Sequence, residues 1–141
     1  MTRTLLLVVV LIFAQGFSEL YSFALYNNTN QPVEICNLNP AEPTCQLAES
    51  QTLARVLMVG DRSEQAWHFR ISTDGRTALY HLPGSLLDEA IRCSGHLWWR
   101  RCEVPAQLDS NGEVRWTGTV DGLPLNHFPN QPAGFPIEPD V

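Results

Sequence analysis

The sequence predicts a mainly β fold: an antiparallel sandwich or partly open barrel of six to eight strands, with one short helix and two disulfides. Three observations predict it. Apolar residues alternate with polar ones at period two through most of the chain. Two segments, Asp74-Gly75 and Asp109 to Glu113, carry hairpin turn chemistry between such runs. Four cysteines fall in two pairs, each nine residues apart.

The N-terminus reads as an export signal. One charge at Arg3 precedes ten apolar residues, Leu5 to Ala14, and small residues follow. That is the order of a secretory leader, with cleavage after Gly16 or Ser18. Ten residues rise about 15 Å as a helix, half of a hydrocarbon core of about 30 Å. The expected division is a signal peptide at 1–18, a β-rich domain at 19–123 and a Pro-rich tail at 124–141. No membrane span is expected after cleavage, and a secreted or periplasmic location follows.

Phe23 to Asn27 and Val33 to Cys36 alternate on either side of Asn28-Thr-Asn-Gln-Pro32, which predicts a hairpin. Asn37 to Glu49 holds Pro40, Pro43 and Cys45 and reads as a stapled loop. Leu53 to Val59 reads as a buried strand ended by Gly60-Asp61. Ala66–Thr73 and Arg76–Leu82, joined by Asp74-Gly75, form a type I′ hairpin signal. Counting outward pairs Ile71 with Ala78, Phe69 with Tyr80 and Trp67 with Leu82, all on one apolar face. That agreement between turn and pattern fixes the register.

Pro83-Gly84-Ser85 changes the period. Ser85 and Asp88 have N-cap and N3 spacing, and Leu86, Leu87, Ala90 and Ile91 share a helical face. A helix over about 86–93 is expected, stopped by Gly95. A second hairpin follows, with Leu108 opposite Val114, Ala106 opposite Trp116, and Gly112 in the left-handed position of its turn. Pro105 predicts a sheet edge for Val104–Leu108. Continuing its parity backward turns Arg100 inward, which predicts a bulge near 100–101. Five prolines in the last eighteen residues predict an extended tail, draped or loose.

An even cysteine count in an exported chain reads as disulfides. The spacing favours two local bridges, Cys36–Cys45 and Cys93–Cys102. Zinc ligands come in closer pairs than this.

Composition excludes several functions. Nine basic against fifteen acidic side chains give a net charge of −6, and loss of Arg3 with the leader makes it −7. A nucleic-acid binder needs a basic face, which this chain lacks. All the basic residues are Arg; without Lys there is neither a Schiff base nor a P-loop. No G-x-S-x-G elbow surrounds a serine, no His pair has metalloprotease spacing, and Asp88-Glu89 diverge on a helix. No catalytic residue and no cofactor are expected, and the chain does not read as an enzyme.

Three features remain. Trp98-Trp99-Arg100-Arg101 places aromatics beside guanidinium groups, a common interface composition; one tryptophan is expected in the core and one at the surface. His68 and His81 fall opposite each other in the first Asp-Gly hairpin, on the face that carries Arg70. Three potential cations there predict a hairpin that weakens as pH falls below about 6, the other reading being an inert surface pair. Two imidazoles without a third ligand make a weak metal site. Asn27-Asn28-Thr29 satisfies the N-glycosylation pattern, and turn formation explains it equally well.

The expected function is a small exported accessory module that binds another protein or an envelope component, with Trp98, Trp99, Arg100 and Arg101 as its binding residues. The alternative is an acidic inhibitor of a basic secreted enzyme, a lysozyme or protease, drawn in by charge. The second alternative is a metal-binding protein or enzyme using His68 and His81.

Overall fold

The computed structural model describes residues 18–58, 66–96 and 99–140. It is a sandwich of two sheets with a hydrophobic core between them. The strands are β1 (Ser18–Asn28), β2 (Val33–Asn37), β3 (Thr44–Ala48), β4 (Leu53–Leu57), β5 (Trp67–Thr73), β6 (Arg76–Leu82), β7 (Arg92–His96), β8 (Trp99–Asp109) and β9 (Val114–Trp116). One sheet runs β4-β1-β8-β7, with β9 also on β8; the other runs β3-β2-β5-β6. Alternation explains the layers. Phe23, Leu25, Val56, Val104, Ala106 and Leu108 face inward from the first sheet, and Val33, Ile35, Phe69, Ile71, Tyr80 and Leu82 from the second. Phe69 stacks on Tyr80 at 5.2 Å and meets Phe23 at 5.0 Å.

Where turn chemistry governs pairing, the register is the expected one. β5 and β6 pair as Trp67–Leu82, His68–His81, Phe69–Tyr80 and Ile71–Ala78. β8 and β9 pair as Leu108–Val114 and Ala106–Trp116, and Gly112 is left-handed at φ +85°. Both expected disulfides are formed, Cys36–Cys45 and Cys93–Cys102. Each joins directly opposite residues of neighbouring strands.

Other expectations are corrected. β1 and β2 do not form a hairpin: β1 pairs with β4 and β8, while β2 pairs with β3 and β5. The chain crosses from one sheet to the other at 29–32. Asn27 holds the crossing: its backbone stays in the β1–β8 ladder opposite Leu108, while its buried side-chain amide bonds the crossing loop. Its Nδ2 donates to the carbonyls of Gln31, Ala48 and Glu49, and its Oδ1 accepts from Thr29 N–H and Oγ1. The same burial leaves the nitrogen no room for a glycan. The stapled loop contains a strand, β3, paired to β2 through the disulfide position. β4 ends at Leu57 and is buried on one face only.

The helix is one turn long. A 3₁₀ turn at Gly84–Leu86 leads into α1 (Leu87–Ala90), and Ser85 makes no side-chain cap. Ile91 is already extended, because Arg92 enters β7, where Cys93 must face Cys102. Gly95 is not a helix stop; it lies in β7 opposite Arg100 at φ +129°.

Pro105 is central, not at an edge. β8 pairs with β1 in parallel along its whole length. On its other side β7 reaches Glu103 and β9 starts at Ala106. The Pro105 carbonyl accepts from Thr117 N–H, so its nitrogen faces the gap between those two partners. No ladder bond is lost there. Nor is there a bulge at 100–101, since both registers run through uninterrupted. Arg100 shares the inward parity yet is exposed, because β8 extends past the end of the core.

The tail is ordered against the body. Val114 and Ile137 exchange both backbone bonds, and Asp140 N–H donates to Leu79 O at 2.7 Å. It therefore ties the edge strands of both sheets, β9 and β6, together. Phe135 and Ile137 are buried. Two glutamines fasten the approach: Gln107 bonds Leu125 N–H and C=O, and Gln131 bonds Trp116 N–H and C=O. Each side-chain amide takes the place of a strand's backbone.

Candidate functional site

The topology gathers three connections at one end of the sandwich. These are the crossing loop at 29–31, the β5–β6 turn at 74–75 and the β8–β9 turn at 109–112; Pro139 of the tail completes the rim. They frame an open groove of about 730 Å³. This is within the range of ligand-binding clefts, about 300–1,000 Å³. Loops held by a rigid sandwich are the usual place for recognition.

Each turn is fixed by its own sequence. Gly75 has φ +81°, which the two-residue Asp-Gly link requires. In the β8–β9 turn Gly112 N–H donates to Asp109 O, and Glu113 N–H donates to Asn111 Oδ1. The Asp109 carboxylate accepts from Asn28 Nδ2 and Gln107 Nε2, which locks this turn to β1. Tyr80 rises from β6 and donates its hydroxyl to Gly112 O at 2.8 Å. Burial raises the Tyr80 pKa above its ordinary 10.0, so the phenol stays protonated and donating.

The lining is mixed. Ile71, Ala78, Tyr80 and Leu108 make an apolar floor, and Thr29, Asn30, Thr73, Thr77, Ser110 and Asn111 bring hydroxyls and amides to the walls. Asp74, Asp109 and Arg76 add two carboxylates and one guanidinium. Such a surface suits directional hydrogen bonding over a small apolar contact.

The sequence-predicted binding residues lie elsewhere. Trp98 is outside the described residues. Trp99 occupies β8 opposite His96, and its side chain is likewise outside them. Arg100 is exposed and Arg101 half-buried, and both are engaged in interactions. They stand at the start of β8, whereas the groove is at its end. Ten steps of a strand separate the two by about 33 Å. The groove residues were legible one turn at a time, but only the sheet order shows that the turns converge.

His68 and His81 do meet, with ring centres 6.3 Å apart. The tail adds a group that the hairpin alone lacked: Asp140 Oδ1 lies 2.6 Å from His81 Nδ1. That face therefore carries a carboxylate beside its potential cations. Arg70 is turned away, its Nη2 on Cys36 Sγ at 3.4 Å. A separate cavity between the sheets, lined by Trp67, Phe23 and Met58, measures about 20 Å³. That is room for about one water. Among the described residues no helix is long and apolar enough to cross a membrane. No protein-family model matches the chain, and neither a curated protein nor a solved structure matches it.

Proposed function

We propose that the chain is a small exported binding module that holds another protein or an envelope component at the loop end of its sandwich. The groove between the three turns carries this reading. It is sizeable, polar at its walls, and built on turns that are each fixed by hydrogen bonds, so binding costs little ordering. Export is supported by the leader-like N-terminus and by two disulfides, which persist in oxidising compartments.

Photo-cross-linking in the producing cells tests it. A photoreactive residue at Asn30, Asp74 or Asn111 is expected to give one discrete adduct, the same from all three. Substitutions at Leu57 and Leu123, both exposed and away from the groove, are expected to give none. An adduct from Arg100 alone would move the interface to the Trp-Trp-Arg-Arg end and overturn the groove.

A further inference from the structure

We propose that His68 and His81 form a site for a divalent transition metal such as zinc or nickel, with Asp140 orienting His81. The geometry begins with the hairpin register, which sets the two residues directly opposite. His68 spends both backbone groups on the far side: its carbonyl accepts from Leu38 N–H, and its N–H donates to Asn39 Oδ1. It has none left for β6. His68–His81 is therefore a non-hydrogen-bonded pair, the closer of the two antiparallel spacings, with Cα atoms about 4.5 Å apart. Both rings project to the outer face and are exposed.

Two imidazoles on one tetrahedral zinc, at Zn–N distances near 2.0–2.1 Å, have ring centres about 5 Å apart. The observed 6.3 Å closes to that value by rotating exposed side chains, with no backbone movement. The tail supplies the orienting group. Asp140 accepts a hydrogen bond at His81 Nδ1, which puts the proton there and the lone pair on Nε2. A carboxylate behind the ligating histidine is the usual outer partner of a metal-bound imidazole. Asp140 is itself placed by its backbone bond to Leu79. Solvent water completes the coordination, as two protein ligands leave open positions. The tighter cluster of Glu34, Cys36 and Cys45 is no competitor, because both sulfurs are spent in the disulfide and neither is a thiolate.

The test is a zinc and a nickel titration of the mature protein at neutral pH, followed by calorimetry and by imidazole ¹⁵N shifts. One metal per chain is expected, with Nε2 shifting on both His68 and His81 while His81 Nδ1 stays protonated. His68→Gln and His81→Gln are each expected to weaken binding at least tenfold, and Asp140→Asn about tenfold. His127→Gln, on an exposed residue elsewhere, is expected to change nothing. Unchanged affinity in His68→Gln, loss of binding in His127→Gln, or metal on His81 Nδ1 would each overturn the proposal. All four substitutions are at exposed side chains, and an unchanged circular dichroism spectrum confirms that each variant is folded.

Discussion

Removing residues 134–141 is expected to destabilise the protein by about 4 kcal/mol or more, since two large apolar side chains lose burial worth about 1.5–3 kcal/mol each. Those side chains are Phe135 and Ile137, at 8% and 4% exposure. The loss extends beyond them. Val114 loses both backbone partners and Leu79 loses one, so the edges of β9 and β6 open to water. Gly134 also packs so closely on Leu82 and Leu86 that an added Cβ would lie 2.9 and 2.8 Å from their methyl groups. Against a total stability of about 5–15 kcal/mol, the truncated chain is expected to unfold at much lower urea. Ile137→Ala is the milder form: it keeps the backbone bonds and is expected to cost about 2–4 kcal/mol. A urea midpoint unchanged in Ile137→Ala would show that the tail does not close the sandwich.

Asn27→Ala is expected to cost about 3 kcal/mol, because each buried polar group left unpaired costs about 1–3 kcal/mol. Asn27 is fully buried and serves three carbonyls and two donors. The carbonyls belong to two different segments, at 31 and at 48–49. One side chain thus joins the crossing loop to the β3–β4 turn. Asn27→Asp keeps the shape and the acceptor but removes both Nδ2 protons and sets a charge against three carbonyl oxygens. It is expected to be at least as damaging. A loss under about 1 kcal/mol in both variants, by equilibrium urea unfolding, would mean that water replaces the amide and that the hub is dispensable.

These two effects mark the boundary of what the sequence made legible. The β5–β6 register could be counted from Asp74-Gly75, because a two-residue turn leaves one pairing and the apolar alternation agrees with it. The β8–β9 register followed from Gly112 in the same way. The disulfides followed from spacing, since each closes a loop short enough for adjacent strands. All three are local. The pairing of β1 with β8 joins Asn28 to Asp109 across the length of the domain, and no residue near either strand announces it. Without that pairing, Pro105 reads as an edge residue; with it, the gap between β7 and β9 absorbs the missing N–H. β3 was hidden because Pro40 and Pro43 come just before it, while the strand itself is held by β2 and the disulfide.

The tail shows the same limit. Proline density shows that it forms no regular ladder, and it forms none: one bridge at Ile137 and one bond at Asp140 suffice. What the sequence withheld is that Phe135 and Ile137 have a core to enter. Two separate places draw on the tail: Pro139 completes the groove, and Asp140 reaches His81.

Closure of the sandwich by its tail brings Pro139 to the groove and Asp140 to the histidine pair, and native-state hydrogen exchange tests it most directly. The amides of Ile137 and Asp140 are expected to exchange slowly, with protection approaching that of Ile71 in the centre of β5. Exchange of both at the rate of an unstructured peptide, while Ile71 stays protected, would contradict the account.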